Sequence, residues 1–305
     1  YIPSKHKVCI LSNFGWRNEI VNRGPALCSP LALCSPLALS LFFYSLLATA
    51  PIQADQPIFS EMPRWDAGWG VQFVEEYRAE DQLLNGKSSI GSGFSERIHI
   101  LHAEGVYTWD RSIRITAKLP LVLDARRKLP SIDGGELIQR DSGLGDLTLA
   151  LPLKQYFNLD GRSGSWTFAP QVRIPLASRD SYDVYDRAWG QGVSLGYETE
   201  TYNWLAALSV SGWIYYADEP FESHTSLKLG TQINAFDSSG HILVRTIFHR
   251  EDDDSATLSV GPLLYWRFSD EIHGQMEWQH DVYDRQGTLD HGNGYQIKIG
   301  IGFVY

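Results

Sequence analysis

The chain has 305 residues, 12% of them aromatic, and a formal net charge of -10 at pH 7. A mean hydropathy of -0.22 excludes a bundle of membrane-spanning helices, each of which needs about 20 consecutive apolar residues. It does not exclude a barrel whose strands alternate apolar and polar residues and so average to neutrality, while the acidic balance argues against nucleic acid as a partner.

Residues 31–50, LALCSPLALSLFFYSLLATA, form the only long apolar run; Arg17 and Arg23 precede it and small residues follow. This pattern predicts a secretory signal with cleavage after Ala54. The alternative is an uncleaved helical anchor, which Pro36 would interrupt. No Met precedes Met62, so roughly the first 20 residues read as upstream read-through. Cys9, Cys28 and Cys34 all lie before the cleavage point, which removes disulfides and thiolate chemistry from the mature chain. Without residues 1–54, which hold Lys5, Lys7, Arg17, Arg23 and Glu19, 22 basic and 35 acidic residues remain, a balance of -13. The expected organisation is an upstream extension and signal over 1–54, a periplasmic lead over 55–68 and one β domain over 69–305.

From Trp69 onward about twelve runs of alternating hydrophobicity are separated by turn-rich gaps. They cover roughly 69–78, 96–109, 111–124, 145–156, 165–178, 189–201, 203–216, 222–236, 239–250, 255–268, 271–284 and 292–305. The gaps alternate: tight at 109–111, 201–202, 237–240 and Asp270, long and polar around 79–95, 125–144, 179–188 and 285–291. A short-long rhythm is how an up-and-down membrane barrel distributes periplasmic turns and extracellular loops. The Asn158-to-Ser165 connection is longer than that rhythm requires. An even number of strands leaves both termini on the periplasmic side.

The runs separate into two faces. Run 145–156 places Leu147, Leu149, Leu151 and Leu153 outward and Asp146, Thr148 and Lys154 inward; run 165–178 places Trp166, Phe168, Pro170, Val172, Ile174 and Leu176 opposite Thr167, Gln171 and Arg173. Run 111–124 sets Ile113, Ile115, Leu119, Leu121 and Leu123 against Arg114 and Lys118, and run 271–284 sets Ile272, Met276 and Trp278 against His273, Gln275, Glu277 and Gln279. In run 255–268, Leu258, Val260, Leu264, Trp266 and Phe268 oppose Ser259, Gly261, Tyr265 and Arg267. Burying unpaired charges in a dry core costs several kcal/mol each, so charges at mid-strand point to a polar lumen. Run 96–109 breaks phase, since Ile98 and Ile100 do not alternate with Tyr107 and Trp109, and a bulge between His102 and Gly105 would repair it. In the last run Tyr295, Ile297, Ile299, Ile301, Phe303 and Tyr305 fall on one face. This run is expected to pair with 69–78 and close the cylinder. Its ending, Lys298, Gly300, Phe303 and Tyr305, is similar to the carboxy-terminal signal read by outer-membrane assembly machinery.

A strand containing Lys118-Leu119-Pro120 is followed by a variable loop and then by Ser142-Gly143-Leu144-Gly145-Asp146-Leu147. This arrangement resembles the family of outer-membrane transporters named after the MetA pathway of phenol degradation. The resemblance covers about 69–305 and implies an outer-membrane barrel for uptake of small, often aromatic, compounds. Read from the residues, the glycines permit a tight backbone, and Asp146 either faces the lumen or caps a loop.

Asp-Val-Tyr-Asp-Arg occurs at 183–187 and again at 281–285, each time where a strand is expected to meet a loop. The carboxylates could hold Ca²⁺ or bridge lipopolysaccharide phosphates, or form a solvated acidic loop with weak ion pairs; Glu251-Asp252-Asp253-Asp254 reads as a solvated tip. The histidines, among them His99, His102, His241, His249, His273, His280 and His291, have no paired spacing, and His241 and His249 lie too far apart to share a metal. No segment resembles the serine–histidine site of a membrane-barrel lipid hydrolase. The expected protein is therefore an all-β, antiparallel up-and-down transmembrane β-barrel of about 12 strands in the outer membrane, not an enzyme, with no cofactor and no metal. Its partners are outer-membrane lipid and lipopolysaccharide, the assembly machinery and a small-molecule solute. The expected function is passive uptake of small solutes, aromatic or hydrophobic ones among them. Its electrostatic filter would be Arg114, Lys118, Asp146, Lys154, Arg173, Glu198, Lys228, Arg245, Arg267, Glu277 and Lys298. The alternatives are a closed barrel with a structural or surface-interaction role and, third, a lipid-modifying enzyme.

Overall fold

Alternating side chains along each run become strands because one face is apolar and the other polar, and only pairing on both edges satisfies every backbone amide in a membrane. The computed structural model describes residues 67–85, 88–89, 94–130, 136–159, 162–177, 184–185, 187–201, 204–216, 220–235, 238–251, 255–286, 289–292 and 294–305. The expected signal segment and most of the expected lead lie outside these residues. Twelve antiparallel staves close into a barrel. They are β1 (Gly68–Glu80), β2 (Ser95–Asp110), β3 (Ile113–Pro130), a segmented β4 (Glu136–Leu144, Leu147–Ala150 and Leu153–Leu159), β5 (Arg162–Ile174) and β6 (Gly190–Glu200). The others are β7 (Leu205–Tyr215), β8 (Glu222–Ala235), β9 (Ser238–Glu251), β10 (Ser255–Arg267), β11 (Ile272–Gln286) and β12 (Tyr295–Val304). Short strands at Gln82–Asn85, Ser88–Ser89 and Leu289–Gly292 extend the rim.

The seam is the predicted one. β12 pairs with β1 from Gly70↔Val304 to Ala79↔Tyr295, and Trp69 and Tyr305 exchange backbone hydrogen bonds of 3.2 and 2.7 Å. The outer face is apolar: Phe73, Leu195, Leu229, Val244, Met276 and Ile299 are all exposed. Aromatic residues crowd both rims, Trp69, Tyr107 and Trp109 at the end bearing the tight turns and Tyr77 with Tyr295 at the other, as lipid–water interfaces favour.

Four expectations change. The Asn158-to-Ser165 connection is tight, since Leu159 pairs with Arg162. The long gap at 125–144 shrinks, because β3 runs to Pro130 and β4 opens at Glu136. The fifth run both starts and stops earlier than expected, at Arg162 and Ile174. The bulge expected at His102–Gly105 is not there: β2 alternates without interruption from Glu96 to Thr108, and Ile98 and Ile100 face inward at 2% and 0% exposure. The irregularities lie instead opposite Asp124 and at Thr108/Asp110. Ile98 and Ile100 are apolar because something apolar covers them inside the barrel.

Candidate functional site

The inward face is a belt of paired charges. Arg245 of β9 donates to both carboxylate oxygens of Glu277 of β11 at 2.9 and 2.8 Å and to Ser226 of β8 at 3.2 Å, and Gln279 donates to Glu277 at 3.0 Å. Glu76 of β1 gathers Lys298 at 3.1 Å, His102 at 2.8 Å and, from its own strand, Arg78. Lys118 lies 3.6 Å from Glu104, which also accepts from Gln72 at 3.1 Å, and Gln72 in turn meets His273 at 2.8 Å. Arg173 of β5 reaches Glu222 of β8 at 3.7 Å and lies over the stacked rings of Trp213 and Tyr215, 5.1 and 5.0 Å from their centroids. Nearer the turn end Lys154 contacts Glu198 at 3.2 Å. Each of these long cationic side chains thus meets an opposite charge, as a group removed from bulk water must.

Of the residues expected to line the lumen, Arg114, Lys118, Asp146, Lys154, Arg173, Lys228, Arg245, Glu277 and Lys298 are inward and buried. Glu198 is partly open, with 26% side-chain exposure. Arg267 departs from the set: it ends β10, is 52% exposed and approaches Asp270 of the adjoining turn at 3.9 Å. The strand alternation carried Arg267 inward, but its position at the rim lets the guanidinium turn to water. Of the carboxy-terminal signal, Gly300 lies inward with Lys298, Phe303 is half-buried on the outer face, and Tyr305 is exposed at the seam.

Described residues of the connection between β5 and β6 fold into the barrel. Val184 and Tyr185, at 0% and 3% exposure, pack on Ile98, Ile100, Val122 and Ala125. Asp146 holds both ends of this loop: one carboxylate oxygen accepts the amides of Leu176 and Ala177 and the other that of Arg187, each at 3.1 Å. Asp141 accepts the amide of Val184 at 2.8 Å. Arg187 sits at φ 55, a left-handed conformation that costs a non-glycine residue about 1–2 kcal/mol, so its bond to Asp146 holds a strained turn. The two short motifs thereby acquire a physical role. Gly145 donates its amide to Pro120 at 2.9 Å, and a Cβ there would lie 2.5 Å from the Tyr185 ring. Gly143, at φ 118, breaks β4 where the loop docks. Asp146 is both inward-facing and a loop cap.

The two Asp-Val-Tyr-Asp-Arg copies are not equivalent. The described residues of the first belong to the docked loop, whereas the second lies inside β11. There a bulge at Val282 lets Asp281 and Asp284, three residues apart, both turn inward, where they accept from Ser259 at 2.5 Å and Thr257 at 3.2 Å. Asp252–Asp254 of the acidic tip lie outside the described residues. At the loop end a cavity of about 120 Å³ is lined by Glu80, Ile98, His224, His249, Asp284 and Tyr295 among others, room for a small solute or a few waters. A pocket of about 30 Å³ beside Glu198 and Lys228 lies toward the turn end. Sequence reasoning missed Glu76, Glu104, Glu222, His224 and the loop anchor Asp141, all of which occupy the inward phase of their strands.

No protein-family model matches this chain, and no curated protein does. Among solved structures it is similar to the COG4313 outer membrane channel from Pseudomonas putida F1, with a TM-score of 0.61 and 16% identity over 83% of this chain and 100% of that one. The β domain of the Bordetella autotransporter BrkA (TM-score 0.47, 12% identity, 79% and 100% covered) and the CymD monoaromatic hydrocarbon channel (TM-score 0.39, 10% identity, 79% and 89% covered) are more distant. At these identities the likeness is one of fold: the chain has the fold of an outer-membrane β-barrel.

Proposed function

We propose that this protein is an outer-membrane channel that passes small solutes down their gradient through a narrow lumen. Its termini and tight turns would face the periplasm, its longer connections the exterior, and its last strand would present the assembly signal. One observation carries the reading: apart from the apolar patch under the docked loop and the Trp213–Tyr215 pair, the lumen is lined by flexible polar side chains of both charges. A buried ion pair adds little stability over well-packed hydrophobic residues, and its replacement is often neutral or stabilising by about 1–4 kcal/mol. A barrel needed only as a scaffold would be cheaper to fill with leucine and valine. Charged belts of both signs suit a hydrated path in which a polar solute exchanges water for side-chain partners. The inward Ile98, Ile100 and Tyr185 at the loop end suit a solute with an apolar face as well as a polar group, which is where aromatic compounds such as phenols would fit. One feature favours a closed barrel instead: Gln72, Glu76, Arg173 and Arg245 are 0–1% exposed, so conduction requires these side chains to move. Swelling of liposomes carrying the purified barrel, in graded small solutes, tests the reading. Swelling that falls with solute size supports a channel; rates equal to protein-free liposomes for every solute refute it.

A further inference from the structure

The cavity at the loop end is lined by a pair of neighbouring imidazoles. His224 of β8 and His249 of β9 are direct cross-strand partners, both inward, 6% and 5% exposed, and both lining that cavity. Both ring nitrogens of His224 are buried without a hydrogen-bond partner. Buried polar atoms are almost always satisfied, so an orphaned imidazole in a cavity calls for a ligand. The ring centroids lie 5.6 Å apart. With metal–nitrogen distances of about 2.0–2.1 Å, two imidazoles on one tetrahedral ion hold their centroids about 5.2 Å apart, so the observed spacing suits a shared ion once the rings turn a nitrogen each toward it.

Acidic side chains share the cavity wall with the two rings. The inward row continues from His249 to Thr257 and Asp284 by direct register, and Glu80 and Asp281 line the same cavity. The cations on these walls are already engaged: Lys298 and Arg78 by Glu76, Lys118 by Glu104, Arg245 by Glu277. We propose that His224 and His249 form a two-imidazole site for a late first-row divalent metal ion, Zn²⁺, Ni²⁺ or Cu²⁺, with water completing the coordination shell. Imidazole nitrogen selects these ions over Ca²⁺ and Mg²⁺, which prefer oxygen. Among the described residues no third His, Cys, Asp or Glu completes a cage, so the site is open and releases its ion readily, as a site in a transit path must. Binding does not depend on conduction: a barrel that passed nothing would still hold the metal.

Isothermal titration of the folded barrel in detergent with ZnCl₂, together with Cu²⁺ electron paramagnetic resonance, tests this. The expected result is one site, a Cu²⁺ spectrum with coupling to two nitrogens, and no displacement by equimolar Ca²⁺. His224→Ala and His249→Ala should each weaken Zn²⁺ by roughly 10–100-fold, the scale on which even outer-shell partners act. The double variant should abolish binding, and His241→Ala, near the opposite rim of β9, should leave it unchanged. If an alanine variant fails to give a heat-modifiable barrel, His224→Gln with His249→Gln keeps volume and polarity and serves instead. Equal Zn²⁺ binding in the double variant, or equal competition by Ca²⁺, would assign the ion to the carboxylates and overturn the proposal, as would an absence of binding at millimolar Zn²⁺.

Discussion

Replacing Asp146 by alanine should release the loop that fills the loop end of the barrel. Its carboxylate accepts three backbone amides, from Leu176, Ala177 and Arg187. Hydrogen bonds to a charged group contribute about 1.5–3 kcal/mol each. They are not additive, and freed amides regain water, so the docked state should lose about 4–6 kcal/mol. That is as much as burying Val184 and Tyr185 supplies, at about 1.5–3 kcal/mol per side chain, and shifts the docking equilibrium by roughly a thousandfold or more. The barrel itself should persist, because the twelve-stave ladder does not pass through this loop. Limited trypsin digestion of the folded protein reads the change: cleavage after Arg187, slow when the loop is docked, tracks the open population when reclosing is fast. Asp146→Asn keeps one carbonyl acceptor and should fall between. Equal protection of wild type and Asp146→Ala, both migrating as intact barrels, would refute the assignment of Asp146 as the loop anchor.

Removing one member of the Arg245–Glu277 pair should be costly while removing both should not. Arg245→Ala is expected to lower stability by about 3–5 kcal/mol, and Arg245→Met with Glu277→Leu to change it by far less, both read from urea unfolding in lipid. On the outer face Ile299→Arg should cost about 2–4 kcal/mol near the bilayer midplane, measured in the same way. Deleting Tyr305, which ties the seam to Trp69, should reduce the heat-modifiable species recovered in the membrane fraction more than a comparable loop change.

Much of the barrel was legible because its physics is local. Leu147 to Lys154 alternates cleanly since one face meets lipid and the other the lumen, and the seam from Tyr295 to Tyr305 does the same. What the sequence concealed was non-local. Ile98 and Ile100 looked out of phase because apolar residues were taken to face lipid, and nothing in the aperiodic segment around Val184 and Tyr185 announced that it would fold back over them. The partners of the charges were equally hidden: Arg173 finds Glu222 across the barrel interior, a contact set by curvature and side-chain reach. The His224–His249 pair was within reach of counting but depended on the turn. Placing it at Asp237–Gly240 sets His224 opposite Asp253, whereas the observed pairing of Ala235 with Ser238 brings His249 beside it. A two-residue error in a turn moves every cross-strand partner by four.

Single-channel recording in planar bilayers, comparing wild type with Asp146→Ala under one salt, separates a conducting lumen from a closed one. Wild type should give small discrete steps, and release of the loop should give larger or longer openings. No conductance above background from either protein, with both folded as heat-modifiable barrels, would contradict the proposed channel and leave the closed barrel as the reading.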